Sequence, residues 1–181
     1  MSILRTKVVI VGDATVGKTA IVNQLVHQNF INSYQMTQAC EYKIKEVPIE
    51  DTKTVVELHL IDVAGQKIFN SIAIDLIKDV NFCVLVYDVT QPTTLDSLQS
   101  WYEGIRDGNG GDVPGLIIGN KTDLGRSAVK SEDAQGFAES MGLGFFEISA
   151  NRGQEVEDAF AAIAKQHYEA YEERVSQLKQ L

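Results

Sequence analysis

Gly12-Asp13-Ala14-Thr15-Val16-Gly17-Lys18-Thr19 decides how this chain folds. Two glycines, then a lysine and a hydroxyl residue, make the phosphate-binding loop pattern. The run before it, Lys7 to Val11, is almost wholly β-branched, as a buried parallel strand should be. The run after it, Ala20 to Val26, sets Ile21 with Leu25 and Val22 with Val26 at helical spacing. Strand, glycine loop and helix together predict an anion cradle in which Gly12 and Gly17 let the backbone wrap a phosphate, with loop amides and the helix N-terminus facing it. In such a loop Lys18 reaches the β- and γ-phosphates, and the Thr19 hydroxyl binds Mg²⁺. The spacing therefore predicts a nucleoside triphosphate site.

Outward from the loop, strands and helices alternate. Residues 29–38 are polar and aperiodic, a loop on the ligand side. Glu41 to Ile49 and Val55 to Ile61 read as a hairpin, with Val56, Leu58 and Leu60 on one face and Glu57 and His59 on the other. A helix is expected from about Phe69 to Lys78, then a strand over Phe82 to Tyr87. A helix over Thr93 to Arg106 turns Leu95, Leu98, Tyr102 and Ile105 inward, and a glycine-rich turn follows at 108–112. Strands over Gly115 to Gly119 and Phe145 to Ile148 flank a helix over Ser131 to Met141, with Ser131 as N-cap. A long helix begins near Glu155. This alternation predicts an α/β fold: three layers around a mostly parallel six-stranded sheet, with one antiparallel edge strand and a long C-terminal helix. One domain spanning 1–181 is expected, extended by the helix at about 155–181.

A net charge of −9 argues against non-specific nucleic-acid binding. The two cysteines, Cys40 and Cys83, give neither a disulfide framework nor metal spacing and point to a reducing cytoplasm. Neither a signal peptide nor a membrane span is read. The last residues hold no cysteine, so no prenyl anchor is expected. His27, His59 and His167 read as structural.

Ligands in open parallel sheets bind beyond the carboxyl ends of the strands, and the remaining motifs lie there. Asp62 and Gly65 end a strand, where a carboxylate can hold Mg²⁺ through its water and a glycine amide can approach the γ-phosphate. Asn120-Lys121-Thr122-Asp123 is sharper. Asp123 can accept from two guanine donors that adenine does not present, and an unpaired buried carboxylate would penalise adenine. Asn120 can tie this loop to the phosphate loop, the stem of Lys121 can cover the base, and Ser149-Ala150 can offer a backbone N–H to guanine.

These motifs, in this order, resemble those of the Ras-superfamily small GTPases, Rab-like, over essentially the whole chain. The resemblance implies GTP/GDP and Mg²⁺ as ligands. It implies Asp13 to Ala20 around the phosphates, Thr37 with Thr19 and Asp62 about the metal, and Gly65 at the γ-phosphate. It implies Asn120, Lys121, Asp123, Ser149, Ala150 and Asn151 around guanine, Phe30 edge-on to the base, and Gln66 with Lys18 in catalysis. Phe30 also fits a generic shielded aromatic. Lys67 stands where an acid is usual, and Gln38 to Tyr42 depart from the usual effector stretch.

Those departures, with the segments Gly119 to Arg126 and Ala164 to Tyr171, most resemble the Rab-like branch of the intraflagellar transport machinery of cilia. That branch implies a non-lipidated subunit of complex B, at the cilium and its base, paired with a small β-sandwich subunit, intraflagellar transport protein 25. The C-terminal helix gives a separate hint. Val156, Phe160, Ile163, His167, Tyr171, Val175 and Leu178 recur every three or four residues over about 23 positions, roughly 35 Å at the standard rise. Either this is an ordinary helix with a solvated end, or Tyr168, Tyr171, Val175 and Leu178 dock a partner. Three functions follow: a slowly hydrolysing GTP switch, a structural subunit with nucleotide as a fold-stabilising ligand, or a generic Rab-like trafficking GTPase.

Overall fold

A computed structural model describes residues 2–30, 37, 39–65 and 77–180. Six strands, β1 (Ser2–Val11), β2 (Cys40–Pro48), β3 (Thr54–Val63), β4 (Phe82–Asp88), β5 (Gly115–Asn120) and β6 (Gly144–Glu147), form one sheet in the order β2-β3-β1-β4-β5-β6. Every pairing is parallel except β2 with β3, so β2 is the antiparallel edge strand expected from the hairpin. The helices are α1 (Lys18–His27), α2 (Pro92–Asp96), α3 (Leu98–Asn109), α4 (Ser131–Ser140) and α5 (Val156–Leu178). No described helix is long and apolar enough to cross a membrane.

The pleat of β1 splits the interior in two. Val8 and Ile10 join Ile21 and Leu25 of α1 and Phe160 and Ile163 of α5 on one face. Val9 and Val11 join Leu98, Tyr102 and Ile105 of α3 and Ala134 and Ala138 of α4 on the other. The β-branched strands are thus buried on both faces, as parallel strands under helices must be. All of β4 and β5 is buried.

Several boundaries differ from those read in the sequence. β1 begins at Ser2 because its polar first half pairs in register with β3, from Ser2↔Thr54 onward, and ladder hydrogen bonds override the sequence pattern. The helix expected over Thr93 to Arg106 is divided at Ser97 and runs on to Asn109, where Gly110 closes it with φ 71°. Ser131 is not the N-cap: Lys130 holds the extended backbone (ψ 135°), and Ser131 is already helical. The expected helix from Phe69 lies outside the described residues except for Ile77 and Lys78, which are in a turn.

α5 is 23 residues long. Val156, Phe160 and Ile163 are buried, and His167 packs edge-on against Phe82, with ring centroids 6.0 Å apart. Tyr168 also lies against the protein's own core. The outward stripe therefore reduces to Tyr171, half-buried Val175 and Leu178, which is 70% exposed.

Candidate nucleotide site

The loop between β1 and α1 depends on two glycines. A Cβ on Gly12 (φ 141°) would lie 2.2 Å from the Val86 carbonyl oxygen, and one on Gly17 (φ 102°) would lie 2.2 Å from Asn120 Nδ2. Neither position admits another residue without moving a neighbouring strand or the Asn120 loop. Thr15 also takes a left-handed conformation, φ 66°, which a non-glycine residue adopts only at some cost. Gly17 caps α1 without a side-chain hydrogen bond, so the first N–H groups of the helix face the loop. Val16 is buried in the core and Ala20 is packed at its margin.

Lys18 is almost completely buried and donates from Nζ to the carbonyls of Gly12 and Asp13, each at 2.8 Å. Burial pushes its pKa down to about 8, against the upward pull of the Asp62 and Asp13 carboxylates. A desolvated cation at a helix N-terminus is built to meet an anion.

Beside it, Thr19 Oγ1 donates to Asp62 Oδ2 at 2.5 Å and lies 2.9 Å from Thr37 Oγ1. Asp62 is 1% exposed, and its other oxygen, Oδ1, is buried without a hydrogen-bond partner. Burial raises this carboxyl to about 6, while the Thr19 hydrogen bond and Lys18 pull it down. Two hydroxyls and a carboxylate with an unpaired oxygen are hard oxygen donors, a set that fits Mg²⁺. Gly65 closes this end: a Cβ there would lie 2.5 Å from the Ala14 nitrogen and from the Asp13 carbonyl. Gln66, like residues 31–36, lies outside the described residues.

The second half of the site lies beyond β5 and β6. Asn120, 2% exposed, donates from Nδ2 to the Val16 carbonyl at 2.9 Å and accepts at Oδ1 from the Ala150 N–H at 3.1 Å. One side chain thus joins the phosphate loop to both loops expected around guanine. Asp123 accepts from Ser149 Oγ at 2.7 Å and from Asn151 Nδ2 at 3.0 Å. Burial opposes its ionisation, but those two hydrogen bonds, with a backbone hydrogen bond and the Arg152 charge, hold the carboxyl below its usual range. Lys121, with φ 73°, extends to Asp88 at 2.6 Å. Phe30 packs against the core cluster beneath α1, as a shielded aromatic does.

A profile of the Ras family matches residues 7–169. The chain belongs to the Ras family of small GTPases. This GTPase is 39% identical over 176 residues, 95% of each chain, to the intraflagellar transport protein 27 homolog of Mus musculus. It is 34% identical over 182 residues to the protein of that name in Trypanosoma brucei, covering 98% of each chain. It is 38% identical over 166 residues to the Ras-related protein Rab7 of Drosophila melanogaster, which covers 88% of this chain and 78% of that one.

Three residues of the GTPase site escaped the sequence reading. Ser97 and Trp101 bind the Asp13 carboxylate, and Asp88 holds Lys121. Asp88 was findable, since it ends β4 opposite Asn120 in the parallel register. Ser97 and Trp101 carry no motif; only the packing of α3 brings them to the loop.

Proposed function

We propose that this GTPase is a guanine-nucleotide switch that hydrolyses GTP slowly and serves as a Rab-like subunit of the ciliary transport machinery. The observation that carries the nucleotide reading is the double role of Asn120, bonded at once to Val16 and Ala150. It makes the phosphate loop, the Asp123 loop and the Ala150 loop one rigid receptor. Asp123 then presents a charged acceptor to the N1–H and 2-amino group of guanine, with Ala150 and Lys121 bounding the base. Lys18 moves its ammonium from two loop carbonyls to the β/γ-phosphates, a better partner for a desolvated cation.

Thr19, Thr37 and Asp62 would hold Mg²⁺, which when bound neutralises charge on the β- and γ-phosphates. Gly65 limits the phosphate cradle on its far side. Gln66, next in the chain, orients the attacking water. No arginine occurs in residues 29–38, so a cation for the developing charge comes from a partner protein. Competition binding with GTP, ATP and XTP tests the reading. Preference for GTP supports it, and equal affinity for GTP and ATP ends it.

The ciliary assignment rests on the intraflagellar transport relatives and on α5. Tyr171, Val175 and Leu178 leave an apolar stripe beyond the core, worth roughly 1.5–3 kcal/mol for each large side chain fully buried. In this reading the stripe docks the small β-sandwich subunit, intraflagellar transport protein 25, in either nucleotide state. Deleting Tyr171 to Leu181 should abolish that co-purification and leave GTP binding intact. The likeness to Rab7 favours a second reading, a generic Rab-like trafficking GTPase. Retention of a vesicle-borne partner with no ciliary subunit in a pull-down would select it.

A further inference from the structure

Asp13 is an unexpected residue to find in an anion cradle, because its carboxylate would repel a phosphate. The structure turns it away. Asp13 Oδ2 accepts from Ser97 Oγ at 2.7 Å and Oδ1 accepts from Trp101 Nε1 at 3.0 Å. Both donors stand at the start of α3, and Trp101 is the chain's one tryptophan. The backbone of the same residue meets the phosphate end from the other side. Its carbonyl takes a hydrogen bond from Lys18, and a Cβ on Gly65 would lie 2.5 Å from its carbonyl carbon and oxygen. Two residues on, Thr15 sits in a left-handed conformation that has to be held from outside. Asn120 anchors one end of this loop at Val16; at the other, Lys18 of α1 holds the Gly12 and Asp13 carbonyls, and the Asp13 side chain ties the loop to α3.

The geometry points to Ser97 and Trp101 as positioning residues for nucleotide binding. They clamp the Asp13 carboxylate onto α3, keep its charge off the phosphates, and fix the Asp13 peptide that faces Lys18 and Gly65. This rests on the guanine-nucleotide reading of the site. Hydrogen bonds to an ionised group are about twice as strong as neutral ones, so losing either frees both the loop and the charge. Because Lys18 and Gly65 serve the terminal phosphates, GTP should be released faster to a greater degree than GDP.

The test is stopped-flow release of fluorescent GTP and GDP from the full chain. Trp101→Phe, which keeps an aromatic ring, and Ser97→Ala should each speed GTP release about three- to tenfold, with a smaller change for GDP. Ser97→Thr, which keeps the hydroxyl, should release like the parent. In an Asp13→Ala background Trp101→Phe should add nothing, whereas a packing role for Trp101 would add the same increment again. Should Trp101→Phe fail to fold, Ser97→Ala carries the test, since it removes one oxygen. Parental release rates, equal acceleration of GTP and GDP, or full additivity with Asp13→Ala overturns the inference while leaving the nucleotide reading standing. A parent chain that binds no guanine nucleotide overturns both.

Discussion

The two ends of the candidate site are built on opposite electrostatic plans. At the base end, Asp123 receives two side-chain hydrogen bonds, Asn120 uses both its amide groups, and Lys121 meets Asp88. At the phosphate end, Lys18 is held by neutral carbonyls with its pKa pushed down to about 8, and Asp62 is raised to about 6 with one oxygen unpaired. The first end carries its own charge compensation. The second is compensated only in part, by the attraction between Lys18 and the Asp62 and Asp13 carboxylates, and leaves room for further charges. In the proposed reading, selectivity for the base would rest on the fold, and grip on the phosphates on the ions that join it.

The largest expected effect breaks the base end. Asp123→Asn replaces an acceptor of two donors with an amide, and GTP affinity should fall on the order of a hundred- to ten-thousandfold. XTP should become the preferred nucleotide in competition binding. Next is turnover: Gln66→Leu should keep nucleotide affinity and lower single-turnover hydrolysis by about tenfold or more. An unchanged rate would mean that Gln66 points elsewhere. Third, Thr19→Asn removes a hydroxyl from the oxygen cluster. GTP binding in Mg²⁺ should weaken by about tenfold, and GDP binding by less, in a metal titration.

The smallest effect is in stability and sharpens the contrast directly. The folded pKa of Asp62 lies above its unfolded value, so its contribution to stability is complete below the ordinary carboxyl value of 3.8 and is lost as pH rises through about 6. Without added nucleotide or Mg²⁺, Asp62→Asn should raise the melting temperature by a few degrees, about 2–4 °C, at pH 8. It should change little at pH 4. A gain at pH 4 equal to that at pH 8 would place the cost of Asp62 in something other than its charge.

Much of this arrangement was legible in the chain because the phosphate loop and Asn120 to Asp123 are short contiguous motifs whose glycines and carboxylates have few other uses. The sheet was legible too, since runs such as Phe82 to Tyr87 suit only a strand buried on both faces. What escaped the sequence depends on distant packing. The polar start of β1 becomes strand only because β3 lies beside it, and the Ser131 cap was misplaced because Lys130 carries the extended turn. Trp101 carries no signal for this role, since 88 positions separate it from Asp13.

The edge strand β2 has a further consequence, for solubility. A nine-residue edge strand offers its free backbone groups to any extended chain that approaches. Here Tyr42 and Ile44 are exposed on one face, while on the other Lys43 Nζ bonds to Asn23 Oδ1 and Lys45 Nζ to the Leu25 carbonyl, each at 2.8 Å. Those two lysines line the strand's margin with half-buried positive charge, and Pro48 ends its ladder. Together they act as gatekeepers against strand addition by like molecules. Acetylating Lys43 and Lys45 would remove those two charges and leave the edge, with only Glu41 and Glu46 charged, more open to strand addition.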